Sequence, residues 1–286
     1  MIYLILLVIA FIALIIGTIT DIKTREVPDW ISYGLMFAGI GIRLLYSAVT
    51  FDWMFVVYGL AGLGIFVGLG YLMFYAGQWG GGDAKILMGL GALIGFDFTF
   101  EQFPLIIIFL INALFIGAVY GLLFSIGLAV KDRKDFSKTF KKLIINSRKW
   151  RIILMILSVV LLALVFAVKD FSFRLLLLTI LIFGNVLFYL WLFVKSVESS
   201  SMFKYVSPEQ LTEGEWIAKE YKDNGKYVCG PKDLGIEKKQ IKKLISLKKK
   251  GKINKVKIKI GIPFVPSFLI AFVLTVLLGA WWIYFL

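Results

Sequence analysis

The sequence predicts an all-α polytopic membrane protein of about eight transmembrane helices with a small cytoplasmic α+β insert. Three observations carry that expectation. Hydrophobic residues make up 60% of the 286-residue chain and the mean hydropathy is +0.88, more apolar surface than a soluble domain of this length can bury. Seven apolar segments, 2–19, 31–49, 53–76, 103–130, 152–168, 175–194 and 264–286, each approach the ~20 residues that cross a bilayer core. Lysine and arginine gather in alternate loops, which orients the spans.

The segment 2–19 lacks the basic flank and small-x-small site of a cleaved signal and runs directly into Asp21, so it reads as a retained first helix. The segment 84–95 is only twelve residues long, a length at which a re-entrant turn competes with a crossing. Charge placement decides between them. Lys23 and Arg25 follow the first span, Lys85 edges the loop after the third, 131–151 holds nine basic residues and 195–260 holds seventeen. Of the opposite loops, 50–52 and 96–102 have none and 169–174 has two. The alternation holds only if 84–98 crosses, which predicts eight spans in the cell membrane, both termini outside, and both Asp21 and Asp83 at cytoplasmic helix ends.

Five regions follow: a transmembrane part over 1–130, a basic cytoplasmic loop over 131–151, a transmembrane hairpin over 152–195, a soluble insert over 196–260 and a last transmembrane helix over 261–286. Gly64/Gly68 and Gly91/Gly95 have the four-residue spacing that lets membrane helices approach closely. Within the insert, 207–220 reads as a short helix capped by Ser207, 226–229 as a strand, 236–249 as a basic amphipathic helix and 255–260 as an alternating strand.

One cysteine, Cys229, and no histidine leave no disulfide framework, no HExxH zinc centre and no Ser-His pair. Neither metal nor cofactor is expected. If the chain is a hydrolase, carboxylates are the first candidates for acid and base, with a serine-lysine pair as the remaining option. The net charge of +14 is what orientation and anionic headgroups ask for, so membrane lipids rather than nucleic acid are the expected partners of the basic surface.

The sharpest local feature is GQWGGGDAK, residues 77–85. Gly80, Gly81 and Gly82 offer an unobstructed backbone beside Asp83, where an extended substrate could pair by main-chain hydrogen bonds. The plainer use of Asp83 is to cap the helix that follows. The second feature is DIKTREVPDW, residues 21–30, which on its own is equally a solvated turn. Ionisable groups at membrane depth are costly, however, and two carboxylates meeting at one face can share a proton, one taking a proton from water while the other polarises a carbonyl. Lys85 either acts on Asp83 by opposite charge or snorkels to the headgroups. Asp29, Glu26 and Asp97 are the competing carboxylates.

The run Gly80-x-Gly82-Asp83, continued by Ala84-Lys85-Ile86 and 91–95, resembles the second catalytic motif of type IV prepilin peptidases and archaeal preflagellin peptidases. Asp21 followed by Val27-Pro28-Asp29 resembles their first motif, and 262–268 (IPFVPSF) the Pro-Phe segment that opens their last helix. The resemblance spans about 15–96 and 261–275. It implies an aspartic endopeptidase with Asp21 and Asp83 as the catalytic pair, removing a short basic leader from preflagellin or pilin-like precursors. The paired Cys-x-x-Cys motifs that bacterial members carry are missing, so methyltransferase activity is not expected. Presenilin-like proteases share GxGD, but here Thr20 precedes Asp21 and no Pro-Ala-Leu occurs. The alternative from another class is an ion- or proton-coupled transporter using the same acids.

Overall fold

The computed structural model describes residues 1–99 and 103–285. Every apolar segment becomes a helix: α1 (Ile2–Thr24), α2 (Asp29–Thr50), α3 (Met54–Tyr75), α4 (Gly81–Ile94), α5 (Leu105–Lys131), α7 (Arg148–Ala167), α8 (Phe171–Ser201) and α10 (Val265–Leu278). Among the described residues six of these are long and apolar enough to cross a membrane, whereas α4 and α10 have 14 residues each. The chain is thus an all-α polytopic membrane protein, with α6 (Arg133–Asn146), α9 (Lys238–Lys249) and five short strands making up the rest.

Contacts divide it into two compact units. The first comprises Met1–Gly121, Ser207–Val256 and Gly261–Leu286; the second comprises Leu122–Val206 and Lys257–Ile260. At the centre of the first lies α4, in which Ala84 and every residue from Ile86 to Ile94 are buried. At ~1.5 Å per residue it is about 21 Å long, short of the ~30 Å hydrocarbon core. A helix apolar on all sides is covered on all sides, here by α1, α2 and α3.

That enclosure depends on glycine at two places. A Cβ on Gly62 would sit 2.3 Å from the Gly91 carbonyl oxygen, and one on Gly91 would sit 2.4 Å from the Gly62 oxygen, so α3 and α4 touch backbone to backbone. The expected Gly91/Gly95 pair is used in this way. The Gly64/Gly68 pair is not, because nothing lies within 4 Å of a Cβ at either residue; four-residue spacing puts two glycines on one face without saying which face meets a neighbour.

Several boundaries differ from the expectation. The basic segment 131–151 is not an open loop but contains α6, whose Phe136 and Phe140 stack at 5.6 Å while Phe136 meets Phe193 of α8 edge-on at 5.5 Å. Apolar residues four apart give this basic segment a packing face. The expected helix at 207–220 is a single 3-10 turn, Pro208–Gln210, followed by β2 (Trp216–Ile217); Gly214 at φ 93° breaks any longer helix. The last span ends at Leu278, where Gly279 turns left-handed at φ 58°, and a 3-10 turn follows at Trp281–Phe285. Residues 100–102 of the loop expected at 96–102, and Leu286 at the end of the last span, lie outside the described residues.

The insert keeps its other expected elements, β4 (Lys226–Cys229), α9 and β5 (Val256–Lys259), and adds β1 (Phe203–Val206) and β3 (Tyr221–Asp223). β3 and β4 form an antiparallel hairpin joined by Asn224 and Gly225, both at positive φ, the pairing that a tight two-residue turn selects. Asp223 at its tip accepts ion pairs from Lys243 at 2.7 Å and Lys252 at 2.8 Å, and hydrogen bonds from these lysines hold its carboxyl down to about 2.

Two outcomes follow. Gly62→Leu or Gly91→Leu should lower the thermal midpoint in detergent by an amount equivalent to about 1–3 kcal/mol or more, while Gly64→Leu and Gly68→Leu should leave it nearly unchanged. Because the Asp223 carboxyl is depressed in the folded protein, its contribution should be complete above pH ~4 and lost as pH falls toward 2; the amide signals of Lys243 and Lys252, followed by NMR, should move together through that window.

Candidate active site

Helix α1 ends one turn beyond Asp21. Arg25 adopts a left-handed conformation at φ 61° and its N–H donates to the Asp21 carbonyl at 2.9 Å, closing the helix. Pro28 then precedes α2, with Asp29 as its first residue. The Asp21 side chain is 5% exposed, a position that a carboxylate occupies only with donors to meet it. The Val265 N–H at the start of α10 donates to Asp21 Oδ2 at 3.0 Å. First-turn amides have no partner inside their own helix, and Pro266, next in line, has no N–H to offer. Asp21 therefore takes the amide that the IPFVPSF motif leaves free, with the helix N-terminus favouring its charge. Arg25 Nη1 adds a bond to the Gly261 carbonyl at 2.6 Å, so the first and third motifs are tied at two points.

Asp83 stands in the first turn of α4, half-buried, and its Oδ2 accepts the Gly80 N–H at 3.1 Å. The helix-capping use of this residue is therefore real. Two further contacts register the second motif on the first. Gly82 lies against Val27, where a Cβ would come within 3.2 Å of the Val27 backbone nitrogen, and Lys85 Nζ pairs with Asp29 Oδ1 at 2.6 Å. Trp79, 6% exposed, packs on Phe264 and Phe268 at 6.0 and 5.4 Å between ring centres, joining the second motif to the third.

The three motifs are thus packed on one another, with two differences from the expectation. Gly81 and Gly82 belong to the first turn of α4 rather than to an extended edge, so their backbone offers helix N-terminal amides instead of a strand. Lys85 reaches Asp29 rather than Asp83, and its ammonium also lies 5.6 Å from the Tyr33 ring centre. Of the competing carboxylates, Asp29 is taken by this ion pair, and Asp97 accepts the Thr99 N–H at 2.8 Å beyond the other end of α4. Among the described residues no three His, Cys, Asp or Glu side chains converge as metal ligands.

At the opposite end of α4 sits Arg43, which sequence reading passed over because one charge hardly alters the hydropathy of its span. It is fully buried. Its guanidinium donates to the carbonyls of Ala92 at 3.1 Å, Leu93 at 2.9 Å, Ile94 at 2.9 Å and Phe55 at 2.9 Å, over the Phe55 ring. The last carbonyls of a helix that stops inside a bundle have neither water nor a following turn; Arg43 supplies five N–H donors and a charge matched to the C-terminal end of the helix dipole. Gly59 and Gly95 leave room for it, since a Cβ at either would lie 2.3 and 2.6 Å from its side chain. Asp83 and Arg43 thus fix the two ends of the same short helix.

Comparison with known proteins agrees with the motifs. Residues 8–122 match the type IV leader peptidase family. The chain is 36% identical over 87 residues to a preflagellin peptidase of Methanocaldococcus jannaschii, 30% of this chain and 37% of that one. It is 41% identical over 86 residues to a preflagellin peptidase of Methanococcus voltae (30% and 36%) and 39% identical over 88 residues to that of Methanococcus maripaludis (30% and 37%). The match spans little more than a third of the length of each of these relatives. No solved structure matches. The family match covers the first two motifs, and the IPFVPSF segment at 262–268 lies outside it.

Removing the Arg43 side chain should cost far more than breaking the exposed ion pair. Arg43→Met leaves four buried carbonyls without donors and should destabilise the detergent-solubilised protein by about 3 kcal/mol or more, whereas Asp29→Asn should cost about 1 kcal/mol or less, both read from thermal unfolding.

Proposed function

We propose that this chain, whose residues 8–122 match the type IV leader peptidase family, is an aspartic endopeptidase. It removes the short basic leader from preflagellin or pilin-like precursors at the cytoplasmic face of the membrane. What supports the reading is that the motifs carrying Asp21 and Asp83 pack on one another, through Gly82 against Val27 and Lys85 on Asp29, with each carboxylate held by a backbone amide. Two facing carboxylates do not ionise together readily, so the pair holds one proton between them. The ionised member takes a proton from water as its oxygen attacks the scissile carbonyl, and the protonated member gives its proton toward the carbonyl oxygen. The tetrahedral intermediate then collapses with a proton returned to the leaving amine.

Gly81 and Gly82 bring first-turn amides beside Asp83 without side chains in the way, which supports a role in holding substrate main chain, while Gly80 gives its amide to Asp83 and leaves its own backbone uncovered by a side chain. Lys85 is better read as a positioning residue, since its ammonium is committed to Asp29. The excess of Lys and Arg in 131–151 and 195–260 supports placing the helix ends that carry the two acids on the cytoplasmic side. The transporter reading has no comparable support: the two acids stand at helix ends and take their partners from the peptidase-like motifs.

The test incubates purified protein in detergent with a precursor bearing a basic leader and a hydrophobic helix, and reads product mass. Wild type should release a short leader peptide. Asp21→Asn and Asp83→Asn, both of which keep an oxygen to accept the Val265 or Gly80 amide and so keep the fold, should each lower the rate by about 100-fold or more. Cleavage by Asp83→Asn at the wild-type rate would remove Asp83 from the pair.

A further inference from the structure

The second unit contains a groove of about 590 Å³ that no motif accounts for, lined along α7 and α8. This volume is in the range of roughly 300–1,000 Å³ that suits a small-molecule ligand. Its chemistry is graded along one helix. Arg148 and Arg151 line it from the first turn of α7, Ile152 and Met155 from the next turn, and Ser158 with Asn185 of α8 farther along. These α7 positions are three or four residues apart and so share one face. At ~1.5 Å per residue the stripe from Arg148 to Ser158 runs about 15 Å, half of the hydrocarbon core.

The polar groups at its two ends are in opposite conditions. Asn185 Nδ2 donates to Ser158 Oγ at 2.9 Å and to the Leu181 carbonyl at 2.8 Å, so that end is satisfied by the protein itself. Both arginines are exposed, and among the described residues neither forms an ion pair. Trp150 between them is exposed as well, as an aromatic anchor at a headgroup boundary is. Two bidentate cations above an apolar trough complement an anion attached to a hydrocarbon chain.

We propose that this groove is a binding site for one anionic phospholipid of the surrounding membrane. The headgroup phosphate lies between Arg148 and Arg151, and one acyl chain runs over Ile152 and Met155 toward Ser158. A basic peptide leader would be repelled by the two arginines, and a nucleic acid would leave the apolar wall exposed to water. The site lies in the second unit and Asp21 and Asp83 in the first, so it stands or falls separately from the peptidase reading.

Native mass spectrometry of the full-length protein, released from micelles holding equal amounts of phosphatidylglycerol and phosphatidylcholine, tests it. Wild type should retain one phosphatidylglycerol under activation that strips phosphatidylcholine, and millimolar inorganic phosphate should not displace it. Arg148→Gln/Arg151→Gln should lower the retained fraction on the order of tenfold. Met155→Trp, which fills the trough and leaves both arginines in place, should lower it as well, and Arg148→Lys/Arg151→Lys should keep most of it. Equal retention of the two lipids, unchanged retention in Met155→Trp and the glutamine variant, or displacement by free phosphate would each overturn the proposal.

Discussion

A carboxylate at the end of a membrane helix needs a donor before it can be buried, and the Asp21 environment is organised around that requirement. The donor comes from the N-terminus of α10, more than two hundred residues away in sequence. Once α10 is placed there, Phe264 and Phe268 receive Trp79, and Trp79 carries the loop that leads into Asp83. The turn after Asp21 then receives α4 through Gly82 and Lys85. The three motifs are therefore one structure: each contributes a partner that another motif lacks.

Helix α4 has the complementary problem. It is buried all round yet too short to bring both of its ends to water, so each end must be satisfied inside the protein. Asp83 meets an amide at its start and Arg43 meets the carbonyls at its finish. The glycine contacts with α3 bring the two backbones together between those ends. A rigid, short central helix is a sound support for a reacting group, because its position is set at both ends rather than by one flexible loop.

The helices were legible because apolar runs of about twenty residues have few other destinations, whereas the crossing that charge alternation led one to expect at 84–98 falls on α4, at 14 residues shorter than the six helices long enough to span. Asp21 and Asp83 were legible because glycine, proline and aspartate at fixed offsets mark a constrained turn. What the chain did not reveal depends on facing. Gly64 and Gly68 carry the same spacing as glycines that pack, and only the fold shows them turned away. Lys85 beside Asp83 suggested a local effect, whereas helical geometry sends its long side chain to Asp29. Arg43 was hidden by averaging, and the helix expected at 207–220 gave way to a single turn because local capping residues outweighed its weak periodicity.

A catalytic pair requires that Asp21 and Asp83 share one electrostatic environment. Solid-state NMR of membrane-embedded protein with ¹³C-labelled aspartate carboxyls measures this directly, by following the Asp83 signal across pH in wild type and in Asp21→Asn. A shift in the Asp83 titration midpoint on neutralising Asp21 is the result predicted by a facing pair. An Asp83 titration that is the same in both proteins would mean that the carboxylates do not meet, and would contradict the account.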